Sequence, residues 1–299
     1  MKVGLQVSSF TWPGGNDALG PTLARVARDA DRAGFDSIWV MDHFFQIRGV
    51  GRPEEPMLEG WTTLGFLAAH TERARLGLMV GGVHYRQAAL WVKAATTLDV
   101  LSGGRAWLGI GAAWNEQESR ALGFPFPPLA ERFELLEETL QIAHAMWDGE
   151  RGTEAPFEGR HVHAGHLMNS PQSISRPRVP IMIGGGGERK TLRLVAQYAD
   201  ATNVFGGPET IHHKYEVIRE HCAAIGRDPD EIERSTLQSV RLALEPGAKG
   251  ESPQQVVDRF GELSDAGAQH VIFGVGDVWD PRALEILARD VLPAVHALG

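Results

Sequence analysis

Short apolar runs alternate with longer amphipathic stretches about eight times along the 299 residues, and this rhythm constrains the fold more than any single motif. The runs lie at 3–7, 37–41, 74–80, 106–111, 179–184, 200–205, 235–244 and 269–275. Each is short, apolar and flanked by turn residues, the pattern of a strand buried on both faces. The stretches at 22–35, 62–71, 89–105, 129–147, 188–199, 208–226, 252–267 and 281–298 read as helices. The clearest is 129–147, with Phe133, Leu136, Leu140 and Ala143 on one side. Gly34 and Gly103-Gly104 are placed to stop helices, and Ser252-Pro253 to start one.

A strand followed by a helix, repeated, builds a parallel sheet, and eight repeats suit a closed (β/α)8 TIM barrel. The rival is a doubly wound open sheet, which usually has fewer strands. A dinucleotide fold would want Gly-x-Gly-x-x-Gly after the first strand, and that pattern is absent there. No linker-like stretch divides the chain, so one domain over 1–299 is predicted. Residues 152–175, rich in Gly, Pro and His, break the rhythm and read as an inserted hairpin or extended segment.

Composition narrows the partners. With 29 basic and 38 acidic side chains the net charge is −9, which argues against nucleic acid as a ligand. The single cysteine, Cys222, excludes an intramolecular disulfide and suits a reducing, cytoplasmic setting. No apolar run reaches the ~20 residues of a membrane span, and no signal-peptide pattern is read at Met1-Lys2. The partner that remains is a small molecule.

A barrel places its chemistry at the carboxyl ends of its strands. The second run ends in Asp42-His43, a histidine that can move protons near neutrality beside an acid that can orient it. Neighbours on a strand point to opposite sides, so one of the pair can serve structure and the other the ligand; a solvated His and a helix-capping Asp are the plain alternative. Gly81-Gly82 lets backbone approach something flat, or makes a plain turn. "LGIGAAWNEQE" (108–118) ends a strand in small residues, making room for a ligand or packing tightly on a helix. "IGGGGERK" (183–190) is the strongest local signal. Its glycines join a strand to a helix, and Arg189 and Lys190 add positive charge, which suits a phosphate. His161, His163 and His166 lack a Cys or carboxylate pair to complete a metal set, so no metal is assigned. No Gly-x-Ser-x-Gly elbow and no nucleophilic cysteine motif is present, so acyl transfer has no support.

Across essentially its whole length the chain resembles the luciferase-like oxidoreductases, in the branch that uses the deazaflavin coenzyme F420. The resemblance is carried by "GFDSIWVMDHF", "LGLMVGGVHYRQAALWVKAATTLDVLSGGRAWLGIGAAWNEQE" and "VPIMIGGGGERKTLRLVAQYADATN". It implies a flat redox ring in the barrel mouth, backed by a non-prolyl cis peptide at Met79–Val80. It implies that Gly81, Gly82, Ala112 and Ala113 border the ring, that Gly184, Gly185, Gly186, Gly187 and Glu188 hold the phosphate region, and that Asp42 touches the deazaflavin. His43 would sit near the reacting carbon as acid/base in a hydride transfer, with the aromatics after it as substrate wall. The loop after Phe44 and the segment 152–175 would shape the substrate side. The alternative is an FMN-dependent monooxygenase on the same barrel, working with a separate reductase. Relatives are often homodimers. The sugar-phosphate dehydrogenases of this branch place a glutamate shortly after the fourth strand. Trp114 stands at that position here, with Glu116 and Glu118 slightly later, so their substrate is not carried over.

Overall fold

A computed structural model describes residues 1–245 and 247–298. Eight strands form the barrel: β1 Lys2–Val7, β2 Ser37–Val40, β3 Arg75–Leu78, β4 Ala106–Gly111, β5 Ile181–Gly184, β6 Ala201–Val204, β7 Glu233–Val240 and β8 His270–Val275. Every neighbouring pair is parallel, in chain order, and β8 closes on β1 with Lys2 opposite His270 and Gln6 opposite Gly274. The closed (β/α)8 TIM barrel is therefore what the chain forms, and the open sheet is excluded. Gly81–Gly82 adds a short bridge to the end of β4.

The outer ring comprises α1 Gly15–Ala33, α2 Gly60–Ala68, α3 Ala88–Ser102, α4 Glu116–Leu122, α5 Leu129–Met146, α6 Thr191–Tyr198, α7 Pro208–Ile225, α8 Pro253–Asp265, α9 Pro281–Ile286 and α10 Leu292–His296. Their apolar faces and the outward strand residues make one continuous core. A second cluster fills the barrel itself, with Trp39, Trp107, Met79, Met182 and Ile272 buried together. The two indoles meet at 6.1 Å between centroids, and Gly77 makes this possible, since a Cβ there would stand 2.5 Å from the Trp39 ring. The barrel is thus plugged below its mouth rather than hollow.

At the amino ends of the strands a polar chain ties four elements. Lys2 Nζ donates to Glu233 Oε2 at 2.6 Å, His270 Nδ1 lies 2.7 Å from Glu233 Oε1, and His270 Nε2 lies 2.9 Å from Ser37 Oγ. Trp39 Nε1 donates to the same Ser37 hydroxyl.

The predicted helix boundaries hold in part. Ser252 caps α8 with a reciprocal capping box to Gln255, and Gly34 and Gly103 end α1 and α3 with positive φ. Helix α1 begins earlier than 22 and runs through Pro21, with Leu19 and Leu23 buried on the core side across that turn. The last helix, read as continuous over 281–298, is broken by a π-turn at Leu287–Val291. Pro293 has no N–H to donate back into that turn, so the ladder shifts register just before it. Helix α4 was not anticipated.

Candidate active site

The carboxyl ends of the strands surround a cavity of about 600 Å³. Asp42 and His43 border it from the end of β2, Met79 to Gly82 from the end of β3, Ala112 and Ala113 from β4, and Gly184, Gly185 and Gly187 from β5. Sequence reasoning therefore brought eleven positions to one place. Gly186 and Glu188 are not among the lining residues. Glu188 turns toward α7, where it accepts from Lys214 and His213, and these partners hold its carboxyl below the usual glutamate range. Arg189 and Lys190 do not line the cavity either, and Lys190 lies 5.3 Å above the Phe133 ring.

The Met79–Val80 peptide is cis. Val80 lies against the glycines of two neighbouring strands: a Cβ on Gly184 would stand 2.7 Å from Val80 Cγ2, and one on Gly111 would stand 3.2 Å away. One small side chain and bare backbone thus form a ledge across the mouth, which side chains at those glycines would destroy. Beside it, Asn203 lines the cavity and donates to Ser235 at 2.9 Å, while its buried Oδ1 has no partner among the described residues.

Asp42 borders the cavity, yet its carboxylate is already engaged. Arg86 Nη1 and Nη2 each donate to it at 2.8 Å, and the Gly82 amide donates at 3.3 Å. Arg86 also bonds Glu59 and lies 4.6 Å over the Trp91 ring. The acid therefore fixes the Gly81-Gly82 backbone through a forked ion pair.

His43 has a different carboxylate partner. Its Nδ1 lies 3.2 Å from Glu118 Oε1, which Tyr85 Oη also donates to. Glu118 Oε2 accepts the amides of Phe44 and Phe45 at 3.0 Å each. Burial would raise the fully buried Glu118 carboxyl, but the bonds from His43, Tyr85 and the Phe45 amide outweigh it and leave it below the usual range. An ionised acid at Nδ1 places the proton there and leaves Nε2 as the base. Nε2 makes no hydrogen bond among the described residues, and His43 is one of the residues that line the cavity.

Glu118 is the functional residue sequence reasoning left undecided. It sits on α4, whose start was written in the sequence: Asn115 followed three residues later by Glu118 is a cap pattern, and Asn115 Oδ1 does accept the Glu118 amide. Arg132 was missed outright. It donates to the carbonyls of Ala112 at 2.9 Å and Ala113 at 2.6 Å, and so holds a loop in which Ala113 has φ +62°. Its signal was an arginine in line with Leu136 and Leu140 on the apolar face of α5.

Two expectations about the walls need correction. Residues 152–175 do not line the cavity. They pack outside α3 and α5, with Glu138 accepting the amides of residues 160–162 and Asp99 those of Ile174 and Ser175. Phe44 does not face the ligand space; it stacks on Phe124 and meets Tyr85 edge-on, behind His43. The loop after it does contribute, through Ile47 and Val50. His161 and His163 bond Glu134 and Glu158.

The family model described as luciferase-like monooxygenase matches residues 1–249. The chain belongs to this family. An F420-dependent glucose-6-phosphate dehydrogenase of Kineococcus radiotolerans is 30% identical over 268 residues, covering 86% of this chain and 71% of the relative. Among solved structures of similar shape, an F420-dependent secondary alcohol dehydrogenase in complex with an F420-acetone adduct has a TM-score of 0.82 at 17% identity, over 98% of each chain. EDTA monooxygenase from a Chelativorans species has a TM-score of 0.84 at 14% identity, over 99% of this chain and 94% of the other. At such identities these two likenesses speak for the shared barrel alone. The matching family model carries a monooxygenase name and the 30% identical relative an F420-dependent one, so the choice between the two chemistries falls on the site.

Proposed function

We propose that this chain is an F420-dependent oxidoreductase that transfers a hydride between the coenzyme and a small organic substrate, with His43 as the proton-handling residue. The observation that carries this reading is the pairing of a bare peptide ledge at Met79–Val80 with a half-buried histidine, held by a buried glutamate, that lines the same cavity.

The residues present fit a flat, polar-edged ring. Val80 and the glycines of β4 and β5 offer a level surface, and the orphaned Asn203 Oδ1 beside it would accept an N–H from the ring edge. Gly184, Gly185 and Gly187, with Thr191 next to them, would hold the phosphate end by backbone amides and a hydroxyl. When bound, the deazaflavin supplies two-electron hydride chemistry.

The chain's own residues do the rest. His43 Nε2 takes or returns the substrate proton, and Glu118 stabilises the imidazolium that forms. Arg132, through the carbonyls of Ala112 and Ala113, fixes the wall opposite. Asp42 and Arg86 hold the Gly81-Gly82 backbone in place.

The test is a spectral titration of the purified chain with F420 and, separately, with FMN. Saturable binding of F420 and weak binding of FMN are expected. Tight binding of FMN with none of F420 would reverse the assignment in favour of a reductase-coupled monooxygenase.

A further inference from the structure

The rim of the cavity is mostly apolar, with Asn115, Gln238 and Ser239 as its polar, uncharged members. Eleven large apolar side chains are exposed among the described residues, and four of them line this one cavity. They are Val50, Trp114, Leu129 and Phe205, with exposures of 42%, 61%, 55% and 58%. A concentration of this kind marks a binding surface, whereas scattered apolar residues do not. Ile47, Phe133 and Leu237 continue the wall inward.

No lysine or arginine is among the described residues that line the cavity. Of the cations behind the lining, Arg86 is committed to Asp42 and Glu59, Arg132 to main-chain carbonyls and Lys214 to Glu188, while Lys190 lies over the Phe133 ring beside the glycine loop. A sugar phosphate entering past this rim would lose hydration and gain no cation from the residues that line it. On the reading above, the glycine amides of β5 are already taken by the coenzyme. At the inner end stands His43 Nε2, an acceptor suited to one hydroxyl proton.

We infer that the substrate is a neutral secondary alcohol, or its ketone, whose hydrocarbon part of several carbons is gripped by Trp114, Leu129 and Phe205. This rests on the hydride-transfer reading. In the oxidation direction the carbinol C–H leaves as hydride to oxidised F420, the hydroxyl proton passes to His43 Nε2, and the O–H pair forms the carbonyl. The reverse direction consumes reduced F420 and returns the same proton.

The experiment uses a series of 2-alkanones of four to ten carbons, with glucose 6-phosphate for comparison. Calorimetry on the chain without coenzyme measures binding; turnover of the alkanones with reduced F420, and of glucose 6-phosphate with oxidised F420, measures reaction. Affinity and kcat/KM should rise about three- to fourfold per methylene, the size expected for burying one CH2. Phe205→Ala and Trp114→Ala should each flatten that rise and raise KM about tenfold for the longest ketone. Glucose 6-phosphate should neither bind nor react. A response independent of chain length, or a preference for the sugar phosphate, would overturn the inference. Chain-length-dependent binding with no F420 binding would instead overturn the cofactor assignment and leave the apolar grip standing.

Discussion

Glu118 holds His43 from behind: one carboxylate oxygen lies 3.2 Å from His43 Nδ1, while the other takes the amides of the two residues that follow it. The base and the backbone that carries it are thus fixed by one side chain from another element. His43→Ala should lower kcat by about 10²- to 10⁴-fold, the usual worth of a positioned acid/base, while the dissociation constant for F420 changes little. Equal loss of both in steady-state and binding measurements would make His43 a binding residue.

Glu118 acts through His43 and through the Phe44–Phe45 backbone. Glu118→Gln keeps an acceptor but removes the charge that favours the imidazolium. We expect kcat to fall on the order of tenfold or more with KM little altered, and Glu118→Asp to recover part of it. A general rise in KM with unchanged kcat would show that Glu118 only shapes the cavity.

The β5 glycines give a separate handle on the coenzyme. Gly185 has φ +121°, and a Cβ there would touch Thr191 at 3.4 Å. Gly185→Asp would add both a disfavoured backbone conformation and a negative charge where the phosphate end is placed. F420 binding weakened well beyond the modest loss of thermal stability that the strained backbone brings is the expected result. Unaltered affinity in the same titration would remove this loop from the site.

How much of this was legible in the sequence depended on whether a residue's partner was local. Strands and caps are short-range, so the barrel and helix ends such as the Ser252–Gln255 box could be read directly. The glycines and His43 fell at strand ends, which a barrel brings together whatever its details. What could not be read were partnerships across elements. Asp42 stands beside His43 in sequence, yet it pairs with Arg86, while the carboxylate that serves His43 comes from 75 residues further on. Nothing in the composition of 152–175 distinguished a wall of the site from a strap on α5, because that is decided by Glu138, a residue of α5 itself.

His84 predicts an acid sensitivity. Its Nε2 lies 2.8 Å from Ser119 Oγ, and Nδ1 is buried without a partner among the described residues. Burial, assisted by Arg132, lowers it to about 4, against the opposing pull of Glu118. A histidine depressed in the fold binds its proton more readily when unfolded, so stability falls as pH drops from 6.5 to about 4 and then levels. The loss amounts to about 3 kcal/mol. His84→Asn should remove this step from denaturant midpoints measured across that range; an unchanged slope would refute it.

The polar chain under the barrel gives a second, lower step. Burial would raise Glu233, but His270 and Lys2 overcome it and hold the carboxyl at about 2. Such an acid contributes stability that is present above its ordinary value of 4.5 and is lost as pH falls toward 2. Glu233→Gln should cost stability at neutral pH and abolish that lower step, with F420 binding at the far end of the barrel unaffected. Loss of coenzyme binding without loss of stability would contradict this purely structural role.

Val50, Trp114 and Phe205 stand on three different strand-to-helix connections and Leu129 on the first turn of α5, and none of them is a hydrogen-bond partner of the carboxylate that orients His43. A lineage can therefore trade one kind of guest for another by single replacements at Val50, Leu129 or Phe205, keeping the proton station and coenzyme seat unaltered. Selectivity and reactivity are, in this molecule, separately heritable.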